Sequence, residues 1–191
     1  MKKTTLHKNP LKFENPIRID EINPDKTLTS LGHGPNKTFV DYGCGTGIIS
    51  KYAASRPNSK VFALDIDPNM LSHVEDKIKA LGLTNITHHL LDLGDGGKDL
   101  SYLPTDADTM LLVTVYHEIK DLALFFKHVK HMMKPNGSIG IIEFHKKDSP
   151  MGPPANHRLD PKLIINDFNS HQYTLRKEVN LGENLYLLIF N

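Results

Sequence analysis

The chain has 191 residues, of which 39% are hydrophobic and 24% charged, and its net charge is +1. This composition predicts a globular domain, excludes a disordered or fibrous chain, and gives no basic field that would attract nucleic acid. The single cysteine excludes an intrachain disulfide and a cysteine-rich zinc site and favours a cytoplasmic location. The apolar runs are too short to cross a bilayer, so we expect no stable membrane insertion.

Strand and helix patterns alternate along the chain after a polar arm. We expect residues 1–24 to be an extended N-terminal arm, because prolines interrupt them, and residues 25–191 to form one domain. Strands are predicted at 37–42, 60–65, 85–90, 108–115, 138–144, 172–179 and 184–190, and helices at 24–31, 48–55, 68–80, 119–133 and 161–168. This order predicts an α/β fold with a mostly parallel sheet and a final antiparallel hairpin, with ligands bound beyond the carboxyl ends of the strands.

The first predicted strand ends in a glycine-rich loop with the sequence DYGCGTG at 41–47. Glycines let a backbone turn sharply and approach a ligand closely. The dinucleotide-binding pattern requires a third glycine where this chain has Ile48, and Asp41 would repel a diphosphate. Asp41 instead favours a ligand with an ammonium or sulfonium group, and Asp65, which ends the second strand, can accept hydrogen bonds from ribose hydroxyls. S-adenosylmethionine carries all of these groups.

Three residues close to this loop each allow two interpretations. Asp92 follows the third strand and reaches the adenine amino group, or it is an ordinary loop residue. Met70 packs its thioether against the adenine, or it belongs to the core. Cys44 is a nucleophile favoured by a helix N-terminus, or it fills a small space between glycines.

Five segments, taken in chain order, resemble the motifs of the class I S-adenosylmethionine-dependent methyltransferases. They are VDYGCGTG (40–47), ALDIDPNML (63–71), the acid of LLDL (90–93), DTMLLVTVYHEIKD (108–121) and MKPNGSIGIIEF (133–144). The tract at 146–159 and the ending around Gly182 and Tyr186 resemble small bacterial members similar to the ubiquinone and menaquinone biosynthesis enzymes.

The resemblance implies a Rossmann-like three-layer αβα sandwich. Its seven-stranded sheet would have the order 3-2-1-4-5-7-6, with strand 7 antiparallel. The resemblance also implies S-adenosylmethionine as the cofactor. The cofactor contacts that we expect are Asp41, Gly43, Cys44, Gly45, Gly47, Asp65, Ile66, Met70, Asp92, Leu93, Val113 and Thr114.

Methyl transfer is an in-line displacement at an activated methyl group, so positioning supplies much of the acceleration. The candidate catalytic residues are Tyr116 and His117, which follow the fourth strand, and Glu143, which ends the fifth. Each of the three has a structural interpretation as well: a helix start for the first two and an exposed strand end for the last. The candidates for contact with the acceptor are Arg18, His145 and Arg158. For Arg158, a structural clamp that holds its loop on the sheet is the alternative interpretation.

The sequence therefore predicts a methyltransferase that acts on a small molecule, with a catalytically silent, cofactor-binding or regulatory module as the alternative. A nicotinamide oxidoreductase is disfavoured by Ile48 and Asp41. No metal is expected, because there is no HExxH motif and because His128 and His131 are predicted on a solvated helix face among lysines. The sequence leaves the acceptor, the methylated element (O, N, C or S) and the oligomeric state open.

Overall fold

The computed structural model describes residues 10–91, 99–149 and 151–191. Within them, one sheet contains β1 (Thr38–Tyr42), β2 (Lys60–Asp65), β3 (Ile86–Leu90), β4 (Ala107–Val113), β5 (Met133–Phe144), β6 (Leu175–Asn180) and β7 (Leu185–Phe190). The helices are α1 (Pro16–Ile22), α2 (Pro24–Leu31), α3 (Ile48–Ala54), α4 (Pro68–Leu81), α5 (Leu122–Met132) and α6 (Pro161–Ser170). Short 3-10 helices lie at Pro10–Glu14, Tyr116–Glu118 and Ala155–His157.

The strands lie in the order β3-β2-β1-β4-β5-β7-β6. The first five in this order pair in parallel, and β7 is antiparallel to both β5 and β6. The predicted fold and strand order are confirmed. β1 and β4 are adjacent in the sheet, although β2 and β3 separate them along the chain. The direction of winding therefore reverses between β1 and β4, and folds of this kind bind ligands at the carboxyl ends of the strands beside such a reversal.

Helices cover both faces of the sheet, because side chains along each strand alternate between two apolar cores. Phe39 of β1 packs in the core that contains Leu28 of α2 and Ala53 of α3. Its neighbour Val40 packs in the core that contains Phe125 of α5 and Phe168 of α6. Both cores contain side chains that are fully buried, so the strand ends that lie between the cores are held in fixed positions.

The predicted extended arm is wrong where the structure describes it. A 3-10 helix and α1 occupy residues 10–22, and residues 1–9 lie outside the described residues. Asn15 starts α1, because its side chain accepts a hydrogen bond from the Ile17 N–H at 2.9 Å and Pro16 takes the first helical position. Proline is well suited to that position, which needs no N–H donor. The prolines therefore begin helices here.

The chain between α5 and β5 also differs from the prediction. β5 begins at Met133, which pairs with Ala107, whereas the next pair along β4 joins Thr109 to Ser138. Residues 134–137 therefore form an irregularity inside one long strand and not a turn before a shorter one.

The prediction of a solvated helix face is wrong for His128. This residue is fully buried, and its Nδ1 lies 3.1 Å from the Tyr42 hydroxyl at the end of β1. His128 is therefore a core residue and not part of a solvated helix face. Across the described residues, no helix combines the length and the apolar character that are needed to span a membrane.

Candidate active site at the carboxyl edge of the sheet

The loop between β1 and α3 requires glycine at three positions. Gly43, Gly45 and Gly47 have φ angles of +77°, +52° and +78°, in the left-handed region that side chains disfavour. A Cβ atom on Gly43 would lie 2.5 Å from a Val115 methyl, and one on Gly47 would lie 3.0 Å from a Val74 methyl. The loop is therefore pressed against its neighbours at two of the three glycines.

Gly45 differs because its missing side chain leaves space. The nearest atom to a Cβ there would be Cδ2 of Phe13, at 4.0 Å. The Gly45 N–H donates to Oδ2 of Asp65 at 2.8 Å, and the Asp67 N–H donates to Oδ1 at 2.9 Å. These two bonds fix the Asp65 carboxylate at the end of β2, beside the space at Gly45.

Asp41 is a buried carboxylate at the end of β1. It is 2% exposed, and the Ser50 hydroxyl of α3 donates a hydrogen bond to it at 2.6 Å. Burial raises the pKa of Asp41 to about 7, although Ser50 and the charge of Arg18 act in the opposite direction. Among residues 10–91, 99–149 and 151–191, no lysine or arginine forms an ion pair with it. The site therefore holds a desolvated carboxyl group whose charged form a bound cation would stabilise.

The N-terminal segment (Pro10–Ile22) crosses this edge of the sheet. At one end, Lys77 of α4 pairs with Glu14 at 3.1 Å. At the other end, Arg18 donates to the Thr114 hydroxyl, just beyond β4, at 2.9 Å and to the Phe13 carbonyl at 3.0 Å. The segment therefore passes over the glycine loop from α4 to the end of β4.

Arg18 brings a positive charge to the site. Burial lowers the pKa of Arg18 to about 10, while the charges of Glu143 and Asp41 oppose that change. The guanidinium remains charged at neutral pH. Its partner Thr114 has a φ of +55°, an unusual conformation for a β-branched residue and one typical of functional sites.

His117 and Glu143 form a close pair. Nδ1 of His117 lies 2.9 Å from each carboxylate oxygen of Glu143, and the His117 N–H donates to Oε1 at 3.2 Å. Burial lowers the pKa of His117, but the hydrogen bond and charge of Glu143 outweigh it, so that this pKa rises above its ordinary value of 6.5. The parallel pairing of β4 and β5 brings these two candidates together.

The third catalytic candidate, Tyr116, lies elsewhere. Its ring is 2% exposed and packs edge-on against Phe125. Its hydroxyl donates to Asp167 of α6 at 3.0 Å, and burial raises the pKa of Tyr116 above its ordinary range. The turn after β4 directs this side chain into the core, so the structure gives no support to Tyr116 as a catalytic residue.

Of the two interpretations of Arg158, an acceptor contact and a structural clamp, the structure supports the clamp. Its side chain is 3% exposed. Its guanidinium donates to the carbonyl oxygens of His145, Lys147, Ser149, Met151 and Pro153. These bonds use the planar fork of donors to hold the loop that follows β5, and no donor group is directed to an anion.

The structure corrects two other candidates. The His145 ring contacts Tyr186 and lies 3.2 Å from Oδ1 of Asn180, at the β6–β7 side of the sheet, so it does not join the pair at His117. Met70 is 1% exposed and lies in the interior, because α4 turns it toward the sheet. Met70 therefore presents no surface to a ligand.

The remaining cofactor candidates lie at or near the same edge where the structure describes them. Ile66 is 43% exposed beside Asp65, which gives an apolar surface at the edge. Cys44 is buried, and burial raises the pKa of its thiol, which supports the space-filling interpretation. Val113 ends β4. Asp92 and Leu93 lie outside the described residues.

Sequence reasoning missed two features of the site. Ser50 lies in the first turn of α3, where its hydroxyl donates to Asp41, nine residues earlier in the chain. Phe13 approaches Gly45 only because the N-terminal segment folds back over the loop, and no local pattern indicates this.

The chain is similar to known methyltransferases over most of its length. A family model described as a methyltransferase domain matches residues 33–183. Malonyl-(acyl-carrier protein) O-methyltransferase 1 of Ilyobacter polytropus is 27% identical over 154 residues, which cover 79% of this chain and 54% of that protein. The ribosomal protein L11 methyltransferase of Vibrio campbellii is 28% identical over 127 residues, covering 65% of this chain and 38% of that protein. The chain thus spans about half of these relatives or less.

The fold has a near match among solved structures. The crystal structure of a SAM-dependent methyltransferase from Aquifex aeolicus superposes with a TM-score of 0.85 over 95% of this chain and 97% of that one. Its sequence identity is 22%, so the likeness concerns the fold alone.

Proposed function

The chain belongs to the class I S-adenosylmethionine-dependent methyltransferase family, and from that premise we propose that it transfers a methyl group from this cofactor to a small-molecule acceptor. The observation that carries the proposal is the space at Gly45, bounded by Phe13 and lying beside the fixed carboxylate of Asp65. Buried Asp41 lies at the end of the neighbouring strand, and no lysine or arginine of the described residues forms an ion pair with it. A cationic amino-acid nucleoside fits both features.

The residues at this edge fit the cofactor as follows. Asp65 would accept hydrogen bonds from the ribose, since carboxylate oxygens each accept more than one. Ile66 would cover the adenine, and Asp41 would stabilise the ammonium and sulfonium charges. The backbone at Gly45 and at Thr114 would line the amino-acid portion. When bound, S-adenosylmethionine supplies a methyl carbon that its positive sulfur activates.

The protein's own contribution is mainly orientation. Correct alignment of two reactants is worth about 7–11 kcal/mol of a barrier. The strand ends are rigid because two buried cores hold them, and Arg158 fixes the loop that follows β5. The N-terminal segment, anchored at Thr114 and Lys77, would exclude water from the space over the glycine loop. Arg18 would attract an anionic group of the acceptor.

The covered edge supports a small acceptor. The N-terminal segment crosses it on one side, and the Arg158-clamped loop leaves the end of β5 on the other. Among the relatives, one is named for malonyl-acyl-carrier protein and another for a ribosomal protein. The first name specifies a malonyl group, and a small acyl group agrees with a covered site better than a folded protein surface does.

The test is methyl transfer from labelled S-adenosylmethionine, in parallel assays with a panel of small phenols, amines, thiols and carboxylic acids and with a bacterial ribosomal protein mixture. Transfer to a small molecule, with loss in Asp65→Ala, supports the proposal. Transfer to protein alone would contradict the small acceptor, and cofactor binding without any transfer would favour a catalytically silent module.

A further inference from the structure

The pair formed by His117 and Glu143 has the geometry of an oriented acid–base group. Glu143 is 1% exposed and contacts the imidazole with both oxygens, while the His117 side chain is 11% exposed. The His117 backbone N–H also donates to Glu143. Three contacts to one buried carboxylate fix the ring orientation more firmly than a chance surface contact would.

The pairing also determines which nitrogen of His117 carries the proton. An ionised carboxylate only accepts hydrogen bonds, so Nδ1 must be the donor when it faces Glu143. In the neutral ring, Nε2 then has a lone pair. The one carboxylate of the described residues near Nε2 is that of Glu118, at 3.8 Å and 59% exposed, so this nitrogen faces the open side of the edge.

The charges around the pair favour a proton on the imidazole. Glu143 lies on β5 and Glu118 in the same 3-10 helix, and both raise the pKa of His117. Arg18, on the N-terminal segment, acts on Glu143 and on Asp41 of β1, and it keeps Glu143 from being an isolated buried charge. His117 can thus accept a proton near neutral pH and hold it next to Glu143.

We propose, building on the methyl transfer proposed above, that His117 is the general base of this site, that Glu143 is its positioning residue, and that the acceptor carries a hydroxyl group of the phenol or enol class. Thiols and carboxylic acids ionise readily by themselves, and a neutral amine already has a lone pair. A phenol, with an ordinary pKa of about 10, gains most from a base that works near neutral pH.

The step balances as follows. The hydroxyl oxygen forms the new bond to the methyl carbon with one of its electron pairs. The bond between that carbon and sulfur breaks, and its electron pair stays on sulfur. The hydroxyl proton passes to Nε2 of His117, and the imidazolium is stabilised by Glu143 until it releases the proton to water.

The first experiment needs neither cofactor nor acceptor. The imidazole of His117 is titrated by NMR in the unliganded protein and in Glu143→Gln, with Glu143→Asp as a second variant in case Gln disturbs the buried site. We expect His117 to titrate above 6.5 in the parent protein and lower in Glu143→Gln, with Glu143→Asp in between. An unchanged titration in both variants would overturn the positioning role.

The second experiment compares acceptors. His117→Gln should lower kcat/KM for phenolic acceptors by about 10²–10⁴-fold, leave transfer to thiols or carboxylic acids nearly unchanged, and leave S-adenosylhomocysteine affinity within about twofold. The matched control His157→Gln changes an exposed loop histidine and should have no effect. Full phenol methylation by His117→Gln would overturn the proposal. A parent protein that methylates thiols, amines or carboxylic acids but no hydroxyl would overturn it too, while leaving the proposed methyltransferase function intact.

Discussion

Asp41 should reduce the stability of the unliganded protein above neutral pH, and Asp41→Asn should remove that cost. Folding raises the pKa of Asp41 from 3.8 to about 7, because burial disfavours its charge. The folded protein therefore holds this proton more tightly than the unfolded chain does. The contribution of Asp41 to stability is most favourable below pH 3.8 and is progressively lost as the pH rises to about 7.

The size of the effect follows from those two pKa values. At pH 8, an ionised Asp41 costs the folded protein about 4 kcal/mol, and at pH 5 the cost is about 2 kcal/mol. Asparagine has nearly the same shape, and its oxygen can still accept the hydrogen bond from Ser50. We therefore expect Asp41→Asn to increase the free energy of unfolding at both pH values, and more at pH 8.

The assay is urea unfolding followed by circular dichroism at pH 5 and pH 8, without ligand. Asp148→Asn, which changes an exposed carboxylate, should have no effect at either pH. Asp41→Asn should also weaken binding of cationic S-adenosylmethionine more than binding of neutral S-adenosylhomocysteine. Equal or lower stability of Asp41→Asn at pH 8 would show that the carboxylate is stabilised in the folded protein, and the electrostatic argument would fail.

Three further substitutions test particular contacts. Gly43→Ala should destabilise the protein by about 1–2 kcal/mol or more and abolish cofactor binding in calorimetry, because its Cβ would lie 2.5 Å from Val115; normal binding would contradict the role of the tight loop. Tyr116→Phe should keep methyl transfer within about twofold and lose about 1 kcal/mol of stability in chemical unfolding, because it removes only the bond to Asp167; a large fall in kcat would restore Tyr116 as a catalytic residue. Arg158→Lys should make residues 145–160 sensitive to limited proteolysis, since an ammonium cannot reproduce the planar fork of donors; an unchanged digestion pattern would contradict the clamp.

The parallel strands and the final hairpin were predictable because their causes are local in sequence, whereas the order of the strands was implied only by the family resemblance. Short apolar runs between helix signals give parallel strands, and the turn before β7 gives the antiparallel hairpin. The glycine loop was predictable for the same reason: residues 41–47 show both the conformational demand and the ligand preference in one stretch. The role proposed for Asp65 was predictable from the position of this residue at the end of a strand.

Several side-chain contacts join residues that are distant in sequence, and these contacts could not be predicted from the sequence. His117 and Glu143 are separated by 26 positions and meet only through strand pairing. No residue near Tyr116 in the sequence indicates that Asp167 accepts the hydrogen bond from the Tyr116 hydroxyl. For Arg158, the sequence left an anion contact and a structural clamp open, because the partners in the clamp are backbone carbonyls, which no sequence pattern identifies.

The central claim is that the edge around Gly45, Asp41 and Asp65 binds a cationic adenosyl nucleoside, and calorimetric titration of the protein with S-adenosylmethionine tests it most directly. We predict saturable binding to one site, at least about tenfold weaker in Asp65→Ala because a charge-assisted hydrogen bond contributes about 1.5–3 kcal/mol. Absence of binding at millimolar cofactor, or equal affinity in Asp65→Ala, would contradict the account.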